Sequence, residues 1–529
     1  MDAQTIALLI VAVCLIYLIS VFVFLLVMFI GSAVEHALRV RQARFEDYDR
    51  LAGSAFTIPV SVLLPAYNEE PVILSVVESL LENRYPNFEV IAINDGSEDR
   101  TLDVLRERYK LERREVFYRR RFKTEPVIGI YRSRVEPRLT VVDKVNGGGK
   151  ADALNAGFNL ARYRYVCVVD ADTVYTPDAL LYAMRPALSD PQLVVGVSCP
   201  FSVSGDPAAE VLVRRSPQGE GGPRESGGRR IDGHPLTNFQ LLEILRAFVN
   251  NRLAWARWNF MLCSAGAFSI WRRDLVDELG GFSRSFTCED IEFTFRVHER
   301  LRREGRPYRV VVLPESVGAT EGPDTLGRLI SQRARWQRVI VETVWHYRRM
   351  LFNPRYGTVG LVGVPYYLLV EVASPIFQVL GFVAIPLAWW AGVFDVVELL
   401  LLLVAVALVN GTLTSLALFL DDRATRDYRL GDLVRLMALS VLELFVYRPV
   451  MLYAHLKGLV DFLRGDKRWN KFERNGRRPP QERDVSRRAP IPVHSRLPKE
   501  YRARRAFSPI DPGKFERKAR NERRVSRPS

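Results

Sequence analysis

Cysteine is scarce in this chain and nowhere paired. Cys14, Cys167, Cys199, Cys263 and Cys288 are the five among 529 residues, and none stands at metal-ligand spacing from another. Six histidines add no His-x-x-x-His or similar cluster. These absences argue against a zinc module and a disulfide framework, and fit a reducing, cytosol-facing catalytic domain. A nucleic-acid-binding face is missing too. Formal net charge is +15, yet residues 464–529 hold 22 Lys and Arg against 8 Asp and Glu, so nearly the whole excess sits there. The remainder is close to neutral, which argues against nucleic acid as a partner. Charge of either sign is absent from Ile6 to Gly31, a run of 26 residues. At about 1.5 Å per residue, such a helix exceeds the ~30 Å hydrocarbon layer. A cleaved signal peptide has a basic leading segment and a shorter apolar run, whereas Asp2 is the side-chain charge before this one. The run reads as an anchor, and Arg39, Arg41 and Arg44 behind it put the next domain in the cytoplasm.

What is present centres on Tyr165-Val166-Cys167-Val168-Val169-Asp170-Ala171-Asp172. An unbroken Val-rich run predicts a strand buried on both faces of a parallel sheet. Its carboxylates then stand at the strand's C-terminal end, where open α/β sheets bind ligands. Period-two alternation would aim Asp170 and Asp172 to one side, where they repel unless a cation lies between them. A hard divalent ion accepts few protein carboxylates and completes its shell with water and phosphate, so the pair suggests a metal-diphosphate site.

Upstream, Ile58–Pro65 and Phe88–Ile93 read as strands around a helix ending at Leu81, a βαβ unit with Tyr67, Asn68, Glu69 and Asp95 at the strand ends. Glu98–Arg114 reads as a charged surface helix, Arg119–Pro137 as a basic loop and Leu139–Asp143 as a third strand. Gly147-Gly148-Gly149-Lys150 precedes a helix, a plausible phosphate cradle without Walker A spacing. Ser202–Pro235 is rich in Gly, Pro and Arg and reads as a flexible insertion. Phe260–Ile270 is strand-like with small residues that let a ligand approach the backbone. Glu289 and Asp290 open a helix, where the macrodipole alone would favour acids.

Residues 325–351 interleave arginines with Trp336 and Trp345, the pattern of a helix lying in a membrane interface. Gln332, Arg335 and Trp336 share one face of it, at i, i+3 and i+4. Ser374–Phe394 and Glu398–Leu420 are clear membrane spans, whereas the charges within Leu433–Leu463 suit an interfacial or re-entrant segment. The expected domains are an anchor (1–33), a linker (34–57), a catalytic domain (58–323, insertion 202–235), an interfacial helix (324–356), membrane helices (357–463) and a basic tail (464–529) able to meet anionic lipid.

Asp95, then Asp170-Ala171-Asp172, then Glu289-Asp290, then Gln332-x-x-Arg335-Trp336 ahead of membrane helices stand in a set order. This order resembles the membrane-embedded family 2 glycosyltransferases, which include cellulose, chitin, hyaluronan and poly-N-acetylglucosamine synthases, over about residues 58–463. The resemblance implies an α/β GT-A, Rossmann-like nucleotide-diphospho-sugar transferase domain combined with transmembrane helices. It implies an inverting hexosyltransferase that extends a β-linked polysaccharide at the cell inner membrane. On this resemblance Tyr67, Glu69, Asp95, Lys150, Asp170, Gln332 and Arg335 hold the nucleotide-sugar donor. Asp170 and Asp172 take Mg²⁺ or Mn²⁺, Asp290 is the base, and Glu289 and Trp336 meet the glycan acceptor. Export or accessory proteins are further implied partners. Cys288 stands where the family commonly has Thr, and Val339 where it often has Gly. Transfer of one sugar to a lipid carrier, and an inactive scaffold, are the alternative readings.

Overall fold

The computed structural model describes residues 3–43, 47–54, 56–214, 231, 233–393, 395–425 and 428–465. The basic tail beyond residue 465 and the glycine-rich residues 215–230 fall outside them. Among the described residues there are twelve strands: β1 (Val60–Ala66), β2 (Phe88–Asp95), β3 (Leu111–Arg113), β4 (Val127–Ser133), β5 (Leu139–Lys144), β6 (Tyr165–Val169), β7 (Thr173–Tyr175), β8 (Val194–Ser198), β9 (Ser202–Ser204), β10 (Phe268–Arg272), β11 (Arg309–Val312) and β12 (Gly318–Glu321). Nine form one sheet in the order β11-β8-β10-β6-β1-β2-β5-β4-β3, and β7-β12-β9 form a second.

Alternation along the central strands sorts their side chains into two cores. Val166 and Val168 of β6 join Leu63, Ile91 and Ile93 on one face. Tyr165, Cys167 and Val169 join Val62, Leu64, Val90 and Ala92 on the other. All five β6 residues are buried, because neither face of the strand meets water. This is why the strand reads as continuous rather than alternating hydrophobicity.

The sheet is mixed, not wholly parallel. β6, β1, β2 and β5 run parallel, while β10 inserts antiparallel between β6 and β8. The expected basic loop 119–137 contains β4, which pairs antiparallel with β5. The charged helix is shorter than its pattern, Thr101–Tyr109. The expected strand 260–270 is extended pairing only from Phe268, since the small residues before it form a loop against the site. The insertion opens with structure, β9 and the helix Pro207–Arg214, before passing outside the described residues. Most consequential, β6 stops at Val169. Asp170 and Asp172 occupy the turn to β7, so strand alternation does not set their directions.

Among the described residues, three helices are long and apolar enough to cross a membrane, over Leu8–Ala43, Val359–Trp390 and Val396–Asp421. The amphipathic segment forms a helix, Leu326–His346. The charged stretch after the spans is one helix, Leu430–Leu463, lying along it. Leu329 packs with Tyr447 and Met451, and a Cβ on Gly458 would meet the Ala334 carbonyl at 2.4 Å.

Close packing within the sheet gives a direct check. Gly196 of β8 faces the fully buried Trp271 of β10, and a Cβ there would stand 2.4 Å from its ring. We expect Gly196→Ala to cost about 1–3 kcal/mol, read as a thermal midpoint lowered by several degrees. An unchanged midpoint would show that the ring can shift freely.

Candidate functional site

Two loops at the C-terminal edge of the sheet grip each other. After β1, the Asn68 N–H donates to Ser97 Oγ (3.0 Å) and the Glu69 N–H to Thr101 Oγ1 (2.8 Å). In return the Glu98 N–H donates to Asn68 Oδ1 at 2.7 Å. Asn68 has φ 53°, a left-handed conformation that Asn tolerates well. The grip fixes the loop bearing Tyr67 and Glu69 beside the end of β2, where Asp95 is buried.

Asp95 Oδ1 accepts from Lys144 Nζ (2.5 Å) and from the Gly147 N–H (3.1 Å). Lys144 is 0% exposed and also ion-pairs with Asp152 at 2.7 Å. Gly147 is required here, because a Cβ would stand 2.4 Å from the Asp152 carboxylate. Burial pushes the Asp95 carboxyl above its ordinary range, with Lys144 opposing. Sequence reasoning missed Lys144 and Asp152. The available signal was a lysine closing a buried strand, opposite Asp95 in the β2–β5 register.

A second cluster lies at the end of β6. Lys150 Nζ donates to Asp170 Oδ1 (2.6 Å) and to the Gly266 carbonyl (3.0 Å), and pairs with Glu289 Oε1 at 3.1 Å. Burial opposes the charge on Lys150, but Asp170, Glu289 and Asp290 together raise its pKa. Asp290 follows Glu289 at the first turn of the helix Glu289–Arg303, its Oδ1 accepting from the Ile291 N–H at 2.8 Å. Burial, then the Glu289 carboxylate, push Asp290 up to about 6, with Lys150 opposing. Gly266 admits this carboxylate, since a Cβ would stand 2.8 Å from Asp290 Oδ2. The buried Tyr175 hydroxyl accepts from the Asp170 N–H (3.1 Å) and donates to the Ala267 carbonyl (2.7 Å), locking the turn. Asp172 Oδ1 accepts from Thr173 (3.2 Å) and Thr320 (3.4 Å), so it faces β12.

Among the described residues, no group of three or more His, Cys, Asp and Glu side chains could hold a metal ion. Asp170, with its side chain one-third exposed, and Asp172 nevertheless offer hard oxygen donors at an open turn. That donor set fits a divalent ion whose remaining ligands are water and phosphate.

The helix Leu326–His346 is tied to this edge. Arg338 Nη2 donates to Thr287 Oγ1 at 2.6 Å, and the Tyr347 hydroxyl to Glu292 Oε1 at 2.8 Å. Arg335 Nε is buried with no hydrogen-bond partner among the described residues, a donor suited to an anion. Gln332 Oε1 accepts from Arg333 at 2.5 Å, and the Arg333 guanidinium lies 4.2 Å from the Trp336 ring centroid. Arg333 is held in turn by both oxygens of Glu243 (2.7 Å for the closest). The Tyr447 hydroxyl donates to Glu243 at 2.5 Å. Burial would raise Glu243, but Arg333 holds it down to about 2. Arg333 and Glu243 were also missed, because a buried pair on two distant helices leaves no local pattern.

Most of the expected residues fall into three groups, with Asp172 turned toward β12 and Tyr67 and Glu69 on the loop after β1. Lys150, Asp170, Glu289 and Asp290 form one charge cluster. Asp95 belongs to a neighbouring one with Lys144 and Asp152. Gln332, Arg335 and Trp336 ride on the helix Leu326–His346.

A GT-A-type glycosyltransferase is the class that this mixed sheet and these matches define. Residues 61–234 match glycosyl transferase family 2 and residues 222–419 glycosyl transferase family group 2. The chain thus carries family 2 glycosyltransferase domains. A poly-β-1,6-N-acetyl-D-glucosamine synthase of Staphylococcus epidermidis is 24% identical over 290 residues, 54% of this chain and 56% of that protein. One of Staphylococcus aureus (strain COL) is 26% identical over 277 residues, 52% and 53% of the two chains. The chain therefore spans about half the length of the curated relatives it matches. Among solved structures, the mannosyltransferase PcManGT from Pyrobaculum calidifontis, in complex with GDP-Man and Mn²⁺, aligns over 85% of this chain and 99% of its own at 19% identity and TM-score 0.47.

Lys144 offers a test of the buried cluster. Lys144→Met leaves the buried Asp95 carboxylate without its cation, while Asp152 keeps Arg284 at 3.2 Å, at a cost of about 3–5 kcal/mol. Unpaired buried carboxylates have folded-state pKa values above their unfolded ones, so the loss is full at neutral pH and recovers as pH falls through the folded values. Thermal midpoints of both proteins from pH 8 to pH 5 should therefore converge on acidification, and parallel curves would disprove the arrangement.

Proposed function

We propose that the chain transfers a sugar from a UDP-sugar to a hydroxyl of a growing β-linked polysaccharide, with inversion at the anomeric carbon. The observation that carries this reading is Asp290, a carboxylate raised to about 6 beside Lys150 and Asp170. A base with that pKa is mostly ionised near neutrality, yet basic enough to draw a proton from an acceptor hydroxyl. In the reaction, the hydroxyl proton passes to Asp290. The acceptor oxygen bonds to the anomeric carbon opposite the diphosphate, and the bond from that carbon to the diphosphate oxygen breaks, its electron pair leaving with UDP.

Asp170 and Asp172 would hold Mg²⁺ or Mn²⁺, which supplies positive charge to the leaving diphosphate. Arg335, with a buried donor to spare, adds fixed positive charge on the same oxygens. Tyr67, Glu69 and Asp95 sit at the edge suited to the nucleoside, and Lys150 orients Asp170 toward the diphosphate. Trp336, on the ring face that Arg333 leaves open, would take the acceptor sugar, with Glu289 as a further acceptor contact. Relatives named as poly-β-1,6-N-acetyl-D-glucosamine synthases support N-acetylglucosamine as the transferred sugar. The three apolar helices support a multi-pass protein of the cell inner membrane, its catalytic domain cytoplasmic and the polymer leaving through the membrane, with or without export partners.

Radiolabelled UDP-N-acetylglucosamine supplied to the purified chain in detergent should yield high-mass labelled polymer. A product one sugar longer than its acceptor and extractable into organic solvent would replace this reading with transfer to a lipid. Asp290→Asn should lower turnover by about 10²–10⁴-fold at unchanged thermal midpoint. The wild-type rate should be constant above about pH 7 and fall tenfold per unit once pH drops well below about 6, because protonation removes the base. A profile flat down to pH 4.5 would exclude Asp290 from that role.

A further inference from the structure

A second cavity, of about 380 Å³, opens at the opposite end of the sheet. It lies where β2 begins and β10 ends, away from the carboxylates of β6. Its ionisable lining is lopsided: Arg119, Arg121, Arg132, Arg162 and Arg273 against a single carboxylate, Glu89. That carboxylate is already spent. Glu89 accepts from Arg162 Nε and Nη2 (2.8 and 2.6 Å), from the Arg162 N–H (3.0 Å) and from Ser61 Oγ (2.7 Å). Arg121 is partnered outside the cavity lining by Asp277.

The other three arginines carry surplus donors. Arg273 Nε is buried with no hydrogen-bond partner among the described residues. Its guanidinium is fixed by a 3.2 Å bond from Nη1 to the Arg162 carbonyl and lies 5.5 Å from the Phe158 ring centroid. Arg119 and Arg132 are exposed. Burial and the neighbouring Arg121 cation hold Arg273 below the ordinary arginine range, as expected where positive charge is crowded.

The cavity is built rather than incidental. Its outer wall is the segment before Phe122, clipped down by the Arg121 and Phe122 N–H groups, which both donate to Asn159 Oδ1 (2.9 and 3.0 Å). On that wall Tyr118 is partly buried and Phe117 is fully exposed. A wholly exposed phenylalanine at the mouth of a cationic cavity offers a face for a planar ring. Guanidinium forks match phosphate oxygens in pairs, and the volume is in the range of small-ligand sites.

We propose that this cavity binds a nucleoside phosphate, its phosphates on Arg119, Arg132 and Arg273 and its base against Phe117 and Tyr118. It is a binding site separate from the donor site, because among the described residues its lining holds no free carboxylate to act as a base or hold a metal.

Binding of ADP to the full chain in detergent, followed by calorimetry, tests this. ADP should bind to the wild type, lose at least tenfold in affinity in Arg119→Ala/Arg132→Ala, and keep its affinity in Asp170→Asn, a variant of the β6 edge. Phe117→Ala should weaken ADP severalfold and leave inorganic pyrophosphate unaffected. Both arginines are exposed, so their variant should keep the wild-type thermal midpoint. Failure of ADP to bind, an arginine variant that binds as wild type, or a loss of binding in Asp170→Asn would each overturn the site. Equal losses of ADP and pyrophosphate in Phe117→Ala would overturn the assignment of the base.

Discussion

Lys150 places one ammonium among three carboxylates, Asp170, Glu289 and Asp290. They come from two stretches of the chain, and the Gly266 carbonyl adds a third contact to those with Asp170 and Glu289. Without that cation, carboxylates at this distance repel, and the turn after β6 and the helix carrying Asp290 would separate. With it, Asp170 and Glu289 are held in ion pairs, while burial and the Glu289 carboxylate raise Asp290 to about 6. The same residue therefore draws the edge of the site together and separates two ion-paired carboxylates from one with a raised pKa.

A second ionic anchor lies between the catalytic domain and the membrane helices. Arg333 pairs with Glu243, Tyr447 supports Glu243 from the helix Leu430–Leu463, and Arg246 pairs with Glu443 on that helix. Breaking one such buried pair leaves an uncompensated charge, so the helix Leu326–His346 has little freedom to slide. Arg333 also stacks on Trp336 and donates to Gln332. Fixed in this way, the motif residues are set by helices about ninety residues upstream and about a hundred downstream. Tight glycine contacts, at Gly266 against Asp290 and at Gly458 against Ala334, leave no room for drift.

Much of this was legible residue by residue. The apolar run before Asp170 announced a strand buried on both faces, and the cores on either side of β6 explain why it had no polar alternation. The anchor, the amphipathic helix and two spans were equally plain, because each repeats its pattern over many residues. Tyr67, Asp95, Lys150, Asp170 and Asp290 were all singled out, since polar residues at strand ends and helix starts stand out against apolar neighbours. The termination of β6 at Val169 was not legible, because the buried Tyr175 hydroxyl that holds the turn comes from the next strand. Nor was β4, whose pairing with β5 rescues a segment too basic to look like a strand.

The sequence by itself determined the elements, their order, the membrane segments and the residue types at the site. Local periodicity, charge and turn chemistry act over a few residues and are written in one stretch of chain. Only the tertiary structure decided partners. That Lys144 closes on Asp95 and Asp152, that Lys150 takes Asp170 and Glu289, and that Arg333 takes Glu243 depends on side chains brought together from far along the chain. Burial and the neighbouring Glu289 then raised Asp290, because the cost of a charge depends on the dielectric and the neighbours around it and not on its position in the sequence.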